Sequence, residues 1–325
     1  MLKRLTFIAL LILPIAVAPA QATRPAGSRH VRAHDPSSIV QSGQEHWFFA
    51  TGPGVRPYRS RDLLTWTPGP RVFADGAAPD WVRDEVPLNK FGQDFWAPDV
   101  IRVGERFLLY YSVSSWGRNT SAIALASNRV LDPDKPDYRW VDEGIVMRSR
   151  EGDDFNAIDP AVTFDADGRL WMSFGSFWGG IKLIELDPTT GKRVAPDSPI
   201  HSLARAKEIE APHIFRHRGH YYLFLNWGLC CRGVKSTYTI RVGRSESITG
   251  PYLDRDGKDL RAGGGTLLLH SHDNFIGPGH PSIFPDRDGR FWLGCHFYDG
   301  ANRGRATFAL RRLTWDNEGW PAVSP

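Results

Sequence analysis

The stretch IDPAVTFDADGRLWMSFGSF, residues 158–177, contains the pattern that decides the fold. It begins with an acidic residue and a proline, continues as a short apolar strand, turns at polar residues and glycine, and ends in a second strand rich in aromatic residues. Two strands joined by so short a polar turn predict a β-hairpin. Proline suits the first position of a strand, where the missing N–H costs little.

Four other segments repeat this pattern: HDPSSIVQSGQEHWFFATG (34–52), WAPDVIRVGERFLLYYSVSS (96–115), EAPHIFRHRGHYYLFLNWG (210–228) and GHPSIFPDRDGRFWLGCHFY (279–298). The five prolines are separated by 52 to 69 residues, which leaves room for two more strands in each unit; they are Pro36, Pro98, Pro160, Pro212 and Pro281. Segments 55–73 and 239–254 are typical of such outer strands. Long amphipathic helical patterns are absent after the N-terminal segment. Five units of about four strands predict an all-β fold, a five-bladed β-propeller over residues 30–325.

The first 22 residues have the order of a secretory signal peptide. Lys3 and Arg4 precede an apolar run that is too short to span a bilayer, and small residues follow at Ala20 and Ala22. We expect cleavage near these alanines and a short N-terminal lead over residues 23–29. The mature protein is expected to be secreted or periplasmic, with no attachment to a membrane.

The net charge gives no reason to expect a nucleic-acid partner. The chain of 325 residues has a formal charge of +4, and removal of Lys3 and Arg4 with the signal peptide leaves +2. Nucleic-acid binding needs a dense basic face. With 41% hydrophobic residues, the chain is long and apolar enough to bury a full core.

The three cysteines do not form the framework of a small disulfide-rich domain, because Cys230 and Cys231 are adjacent and Cys295 is alone. The adjacent pair either closes a disulfide in an oxidising compartment or consists of two small buried hydrophobic residues. The sequence leaves both alternatives open. A metal site built from these cysteines is not expected, since they lack a CxxC spacing.

Ionisable side chains accompany all five prolines: Asp35, Asp99, Asp159, Glu210 and His280. The inner strands of a propeller line its central channel, so carboxylates at their starts would converge on one small volume. Like charges at short range, partly desolvated, raise the pKa of at least one acid, and one group can then stay protonated while another is ionised. The alternative for any single Asp-Pro pair is a turn, and Asp99, which follows its proline, is expected to cap a turn or to bind neighbouring backbone.

Strand alternation gives a mixed result for these groups. Asp35, Asp159 and His280 directly precede their prolines, whereas Glu210 lies one residue further back. Alternation alone therefore does not place Glu210 on the same face. Only a local bend or bulge would bring it there.

The motifs HDPS, WAPD, NAIDPAV, GSFWGG, EAPHIF and GPGHPSIF, in this order, resemble glycoside hydrolase family 43, and most closely its arabinanases, which cut α-1,5-linked arabinan. The similarity extends over nearly all of the mature chain, to LTWDNEGWPAV at its end. The ordered set is highly specific, although each motif alone is weak. The resemblance implies a five-bladed propeller, an inverting hydrolase, and arabinan or arabino-oligosaccharides as the substrate.

The resemblance also implies roles for three carboxyl groups. Asp35 corresponds to the general base, Asp159 to the group that orients the acid and tunes its pKa, and Glu210 to the general acid. An inverting enzyme holds its water between acid and base, so we predict that Asp35 and Glu210 are about 6.5 to 9.5 Å apart, whereas about 5 Å would indicate a retaining enzyme. No organic cofactor is expected.

Further candidates concern the substrate. The resemblance places a sugar-stacking ring at Trp96 and hydrogen bonds to the sugar at Asn156 and Ser176. Five other side chains are candidate substrate-binding residues from their positions alone: Trp116, Trp178, Trp227, His34 and His213. For the tryptophans the alternative is packing between blades, and for the histidines a hydrogen-bonded structural role.

His280 raises the question of a metal. Arabinanases of this kind often carry an ion, usually assigned as calcium, held in the central channel by a histidine and mostly by water, and GPGHPSIF presents that histidine here. Calcium prefers six to eight oxygen ligands, so a single imidazole is an unusual partner. The alternative is that His280 fills the channel without a metal.

Two other functions are compatible with the motifs. The same three carboxyl groups serve exo-acting α-L-arabinofuranosidases and β-xylosidases. Because the chain ends near Pro325, we expect no β-sandwich of the kind that many xylosidases of the family append, and this favours an arabinanase. Endo or exo action depends on loops at the ends of the groove, and the sequence leaves both open. A non-catalytic propeller that binds polysaccharide is the third alternative, but it would not need all three carboxyl groups.

Overall fold

The computed structural model describes residues 31–74, 77–89 and 94–323. The predicted signal peptide and the lead over residues 23–29 lie outside this part of the chain. Within it, twenty strands form five separate antiparallel sheets, and each sheet consists of four strands that are consecutive in the sequence. The prediction of a five-bladed β-propeller is confirmed.

The blades follow one another in chain order. Blade 1 consists of β1 (Val40–Ser42), β2 (Glu45–Ala50), β3 (Arg56–Ser60) and β4 (Thr67–Pro68). Blade 2 consists of β5 (Trp96–Val103), β6 (Arg106–Val113), β7 (Ser121–Asn128) and β8 (Val141–Ser149). Blade 3 consists of β9 (Ala161–Phe164), β10 (Leu170–Phe174), β11 (Ile181–Leu186) and β12 (His201–Ala204). Blade 4 consists of β13 (Ile209–His217), β14 (His220–Trp227), β15 (Thr239–Ser245) and β16 (Thr266–Leu269). Blade 5 consists of β17 (Phe275–Pro285), β18 (Phe291–Asp299), β19 (Arg305–Trp315) and β20 (Pro321–Val323).

Helical structure in the described chain is confined to short connections. There is one α-helix, α1 (Trp81–Glu85), and there are three 3-10 turns, at Gly233–Lys235, Leu260–Ala262 and Gly300–Asn302. None of the described helices has the length and apolar character needed to cross a membrane.

The outer strands agree only partly with the sequence prediction. Segment 55–73 contains both outer strands of blade 1, as expected. Segment 239–254 contains β15 alone, and β16 begins only at Thr266. The residues between them are rich in glycine and aspartate and include Pro251, and all three residue types favour turns over a strand.

The second strand of each blade is apolar on both faces because each blade is packed between two others. In β6, Phe107 and Tyr111 pack in a cluster with blade 1, whereas Leu108 and Tyr110 pack in a cluster with blade 3. Successive side chains of a strand point to opposite faces, so one apolar strand supplies two interfaces. Aromatic-rich second strands are thus what joins the repeats into one body.

The ring closes where blade 5 meets blade 1. Phe48 and Tyr58 of blade 1 share a buried cluster with Phe284 and Phe308 of blade 5, and the rings of Phe48 and Phe308 stack at 4.4 Å. In addition, the Phe308 N–H donates to the Val31 carbonyl at 2.8 Å. This fifth interface brings all five inner strands around one channel.

Two residues that directly follow prolines tie the inner strands together. Asp99 accepts hydrogen bonds from the Ser38 N–H of blade 1 and the Val162 N–H of blade 3, each at 2.8 Å. Burial raises its pKa to about 6. His213 accepts the Ile283 N–H of blade 5 at 3.1 Å, and burial together with the nearby His280 lowers its pKa to about 3. Both side chains therefore bind backbone, as expected for Asp99.

Candidate active site

The residue before each of the five prolines has a left-handed backbone conformation. The φ angles lie between 41° and 57°, at Asp35, Ala97, Asp159, Ala211 and His280. For a residue with a Cβ atom this conformation costs about 1 to 2 kcal/mol. Its occurrence at the same point of every blade shows that it is part of the repeat.

This local geometry explains how Glu210 can lie on the same face as Asp35 and Asp159, although strand alternation alone would not place it there. The register between β13 and β14 shifts between Glu210 and His213, and comparable shifts occur at the same point in β5 and β17. A bulge of this kind breaks the two-residue alternation of a strand. The bend that the sequence required for Glu210 is therefore present.

Each of the five left-handed residues donates its backbone N–H to a side chain. The acceptors are His296 Nδ1 for Asp35, Thr51 Oγ1 for Ala97, Ser112 Oγ for Asp159, Asp159 Oδ2 for Ala211 and Asn226 Oδ1 for His280, at 2.8 to 3.1 Å. Four of these acceptors lie in or directly after the second strand of the preceding blade. Gly175 has the corresponding position in blade 3, but it has no side chain that could accept a hydrogen bond. The Asp159 carboxylate accepts the Ala211 N–H instead. Asp159 thereby holds the backbone beside Glu210.

One cleft of about 800 Å³ brings the three predicted catalytic carboxyl groups together. Nine of the candidate residues from the sequence line it: His34, Asp35, Trp96, Trp116, Asn156, Asp159, Ser176, Trp178 and Glu210. Trp227, His213 and His280 are not among the residues that line it. The cleft is large enough for several sugar residues and is the strongest candidate for the active site.

Asp35 is held in its ionised form. Its Oδ2 atom accepts hydrogen bonds from Thr51 Oγ1 at 2.6 Å and from His34 Nδ1 at 2.7 Å. Burial alone would raise the pKa of Asp35, but His34, with smaller contributions from His280 and His296, lowers it far below the usual range. Burial likewise opposes the charged form of His34, yet the Asp35 carboxylate raises the pKa of that imidazole. An ionised carboxylate in this position can accept a proton from water.

Glu210 and Asp159 have the opposite tendency. Burial raises the pKa of Glu210, against the hydrogen bonds that Ser176 and Tyr238 donate to it, and the charge of Asp35 raises it further. Burial and the charges of Glu210 and Asp35 raise the pKa of Asp159 well above its ordinary value. The two groups titrate as a pair and retain a proton while Asp35 is ionised. The cleft thus contains a proton donor and a proton acceptor at one pH.

Three tryptophans present aromatic surface to the cleft. Trp96 and Trp116 meet edge to face with ring centroids 6.3 Å apart, and Trp116 is 75% exposed. Trp178 is 42% exposed. Exposed rings of this size in a cleft suit the apolar faces of sugars. Trp227, by contrast, packs between blades and lies under the Arg241 guanidinium at 4.2 Å, so the structure does not bring it to the cleft.

The two polar side chains expected to contact sugar are engaged within the protein. Asn156 Oδ1 accepts a hydrogen bond from Ser121 Oγ at 2.6 Å. Ser176 Oγ donates to Glu210 Oε2 at 2.6 Å. Each residue is only 3% exposed. Ser176 therefore orients the carboxyl group of Glu210 directly.

The side chains around His280 do not fit a calcium ion on protein ligands alone. His280 Nδ1 lies 3.7 Å from Asp35 Oδ1, and among the described residues Asp35 forms a cluster of possible ligands with the imidazoles of His34 and His296, a cluster that does not include His280. Calcium requires six to eight oxygen atoms, whereas this set offers one carboxylate among several nitrogens. An ion held by His280 would need water for most of its ligands, and it stays a prediction.

Four further residues at the carboxyl groups were missed in the sequence. Thr51 and His296 contact Asp35, Tyr238 donates its hydroxyl to Glu210 Oε1, and Tyr298 contacts His34. Thr51, His296, Ser112 and Asn226 occupy equivalent positions at the end of the second strand of their blades. An alignment of the five repeats on these polar residues would have found Thr51 and His296. Tyr238 lies between strands, outside the repeat.

The structure supports the first alternative for the adjacent cysteines, which is a disulfide. Cys230 and Cys231 form a disulfide, and both line the cleft. The interpretation of this pair as two buried hydrophobic residues is wrong, since Cys231 is exposed. Cys295 is a free thiol in the buried cluster between blades 4 and 5, where burial raises its pKa to about 12.

Comparison with known proteins gives similarity over almost the whole chain. Residues 29–321 match the family described as Glycosyl hydrolases family 43. An extracellular exo-α-(1→5)-L-arabinofuranosidase of Cellvibrio japonicus is 42% identical over 95% of this chain and 91% of that protein. An extracellular endo-α-(1→5)-L-arabinanase of Bacillus subtilis is 40% identical over 94% of this chain and 92% of that protein. The solved structure of a Cellvibrio cellulosa α-L-arabinanase complexed with arabinohexaose has a TM-score of 0.85 and 42% identity, over 91% of this chain and 96% of that one.

Proposed function

Since this chain belongs to glycosyl hydrolase family 43 and is therefore a glycoside hydrolase, we propose that it cleaves the α-1,5-L-arabinofuranosyl bonds of arabinan with inversion. The observation that carries the proposal is the convergence of Asp35, Asp159 and Glu210 in one cleft, with Asp35 ionised and the other two sharing a proton. The names of the relatives, and the arabinohexaose in one of the solved structures, support arabinan as the substrate.

The proposed reaction has one displacement step. Glu210 gives its proton to the departing glycosidic oxygen as the bond from that oxygen to the anomeric carbon breaks. The arabinofuranosyl ring develops oxocarbenium character, and a water molecule attacks the anomeric carbon from the opposite side. Asp35 takes one proton from this water. Glu210 ends ionised and Asp35 protonated, and exchange with solvent restores both.

Asp159 has two functions in this proposal. Its Oδ2 atom accepts the Ala211 N–H, which fixes the backbone that carries Glu210. Its carboxyl group also shares the buried volume with Glu210, so that ionisation of both at once is unfavourable. Asp159 therefore orients the acid, and its carboxyl group makes loss of the pair's last proton unfavourable.

Replacing Asp159 by Asn should move the alkaline limb of the pH profile to lower pH. In the wild type, loss of the last proton of the Glu210–Asp159 pair leaves two neighbouring negative charges. The amide cannot carry one of them, so Glu210 alone loses its proton at lower pH. A pH series of kcat/KM on linear arabino-oligosaccharides measures this shift, with Asp137→Asn on an exposed turn as the control. An alkaline limb that stays in place, or moves to higher pH, would contradict the role of Asp159.

The products decide between endo and exo action. We propose endo cleavage of arabinan, and the arabinofuranosidase of Cellvibrio japonicus makes exo cleavage the second candidate. Chromatography of the products released over time from debranched arabinan should show a ladder of oligosaccharides for an endo enzyme, and a single short product for an exo enzyme. Branched arabinan and an aryl β-xyloside complete the panel. Release from the xyloside with none from either arabinan would overturn the proposed substrate.

We also propose that the protein acts outside the cytoplasm. The N-terminal charge, apolar run and small residues are those of an exported protein. The two relatives described above are both named extracellular. A disulfide on the cleft agrees with an oxidising compartment.

A further inference from the structure

A turn that contains a disulfide lies on the cleft beside the proposed base. Residues 229–232, here called the disulfide turn, all line the cleft. Cys230 and Cys231 are joined to each other across a single peptide bond, with Cα atoms 3.8 Å apart. The Cys231 sulfur lies 3.8 Å from His34 Nε2. The proposed mechanism gives this disulfide no part.

A chain of contacts connects the disulfide turn to Asp35. The Cys231 N–H donates to the Tyr298 hydroxyl oxygen at 2.7 Å, and this hydroxyl lies 2.8 Å from His34 Nε2. The other ring nitrogen of His34 lies 2.7 Å from Asp35 Oδ2. Tyr298 is 3% exposed, and the Ser236 side chain is a further hydrogen-bond partner of its hydroxyl. The backbone N–H of the turn thus acts on His34 through Tyr298, in addition to the stacking of His34 on His296 at 4.1 Å.

The conformation of Cys231 explains why a disulfide is needed there. Its φ angle is 64°, a left-handed value that is unfavourable for a residue with a Cβ atom. The residue is exposed, and the packing of a core does not hold it in place. Closure of a ring through two adjacent side chains strongly limits the backbone angles of both residues. Without the bond, Cys231 is free to leave the left-handed region and to turn its N–H away from Tyr298.

We propose that the Cys230–Cys231 disulfide is a positioning element for the catalytic base: it fixes the turn that holds Tyr298, and Tyr298 holds His34 against Asp35. The inference rests on the proposed role of Asp35 as base. Its consequence is that the activity depends on the redox state of the turn. The enzyme reaches full activity only where the disulfide can form.

Reduction of the wild-type enzyme tests the inference. A water-soluble phosphine reduces the S–S bond to two thiols and is itself oxidised to a phosphine oxide. One water molecule supplies the oxygen of the oxide and the two hydrogens of the thiols. We expect kcat on a linear α-1,5-arabino-oligosaccharide to fall by about tenfold, since small displacements of a catalytic group cost rates of this order. KM should change less, and re-oxidation should restore kcat. A Cys230→Ser, Cys231→Ser double variant should be insensitive to the phosphine.

A Tyr298→Phe variant shows whether the effect passes through the hydroxyl group. This substitution removes the link between the turn and His34, so it should itself lower kcat, and subsequent reduction should lower kcat little further. Equal effects of reduction in the wild type and in Tyr298→Phe would overturn the inference. So would a reduced wild-type enzyme with unchanged kcat.

A readout that does not need activity separates this inference from the proposed function. The NMR signals of the His34 imidazole, assigned with a His34→Gln variant, should shift when the disulfide is reduced. Unchanged signals would overturn the inference even in an active enzyme. An oxidised enzyme that releases no sugar from any arabinan would instead overturn the proposed function, and the His34 signals would still decide whether the turn positions that imidazole.

Discussion

A Glu210→Gln enzyme should hydrolyse linear α-1,5-arabinan about 10² to 10⁴ times more slowly than the wild type, which is the usual contribution of a general acid. Glutamine has the shape of glutamate, and its amide can still contact Ser176 and Tyr238, the two hydroxyl groups that hold Glu210. It has no proton to give to the departing oxygen. The loss should appear in kcat, because the proton is transferred only in the transition state.

The leaving group provides the control for this prediction. The phenol of a suitable aryl arabinoside has a low pKa, so it departs as the phenolate and needs no proton from an acid. Glu210→Gln should therefore lose much less activity on this substrate than on arabinan. Glu246→Gln, a matched substitution at an exposed position, should leave both rates unchanged. Sugar release from arabinan at the wild-type rate by Glu210→Gln would remove Glu210 from the role of acid.

The ring of five blades could be predicted because its signal is repeated. A single Asp-Pro or Ala-Pro pair before an apolar strand predicts little, but five copies at comparable intervals define the unit and its number. Aromatic-rich strands such as β6 and β14 completed the prediction. A strand that is apolar on both faces must be covered on both, which a stack of sheets provides. Irregular outer strands such as β16 carry no comparable repeat, and their positions were missed.

The face that Glu210 presents could not be derived from the sequence. It depends on a left-handed residue at Ala211, and alanine gives no sign of a positive φ angle, as a glycine would. The conformation is imposed by partners distant in the sequence, above all by the Asp159 carboxylate that accepts the Ala211 N–H. Resemblance to a family supplied the proposed role of Glu210, whereas the structure supplies the backbone geometry that brings its side chain into the cleft.

The side chains around the carboxyl groups divide in the same way. Thr51 and His296 belong to a column of the repeat and were open to prediction. Tyr238 lies in a connection between strands, and only the folded chain brings it to Glu210. The tryptophans show the limit of positional reasoning. Trp178 follows β10 and Trp227 is the last residue of β14, yet the first lines the cleft and the second lies under Arg241.

Replacing Asp35 by Asn should lower kcat on arabinan by a factor of about 10² to 10⁴, because the attacking water then has no base. The amide oxygen can still accept hydrogen bonds from Thr51 and His34, so the cleft should keep its shape. Azide, which needs no base to act as a nucleophile, should restore part of the rate. Asp134→Asn, at an exposed turn, serves as the matched control.

The configuration of the products makes this prediction specific for inversion. The gap of about 6.5 to 9.5 Å that we predict between Asp35 and Glu210 admits a water molecule or an azide ion, and either attacks from the side opposite the departing oxygen. Wild-type enzyme should therefore release β-configured sugar as its first product, and Asp35→Asn with azide should give the β-glycosyl azide. NMR spectra taken directly after mixing distinguish the anomers before they equilibrate. An α-configured first product would assign a retaining reaction with Asp35 as a nucleophile about 5 Å from the acid, which contradicts the proposed mechanism.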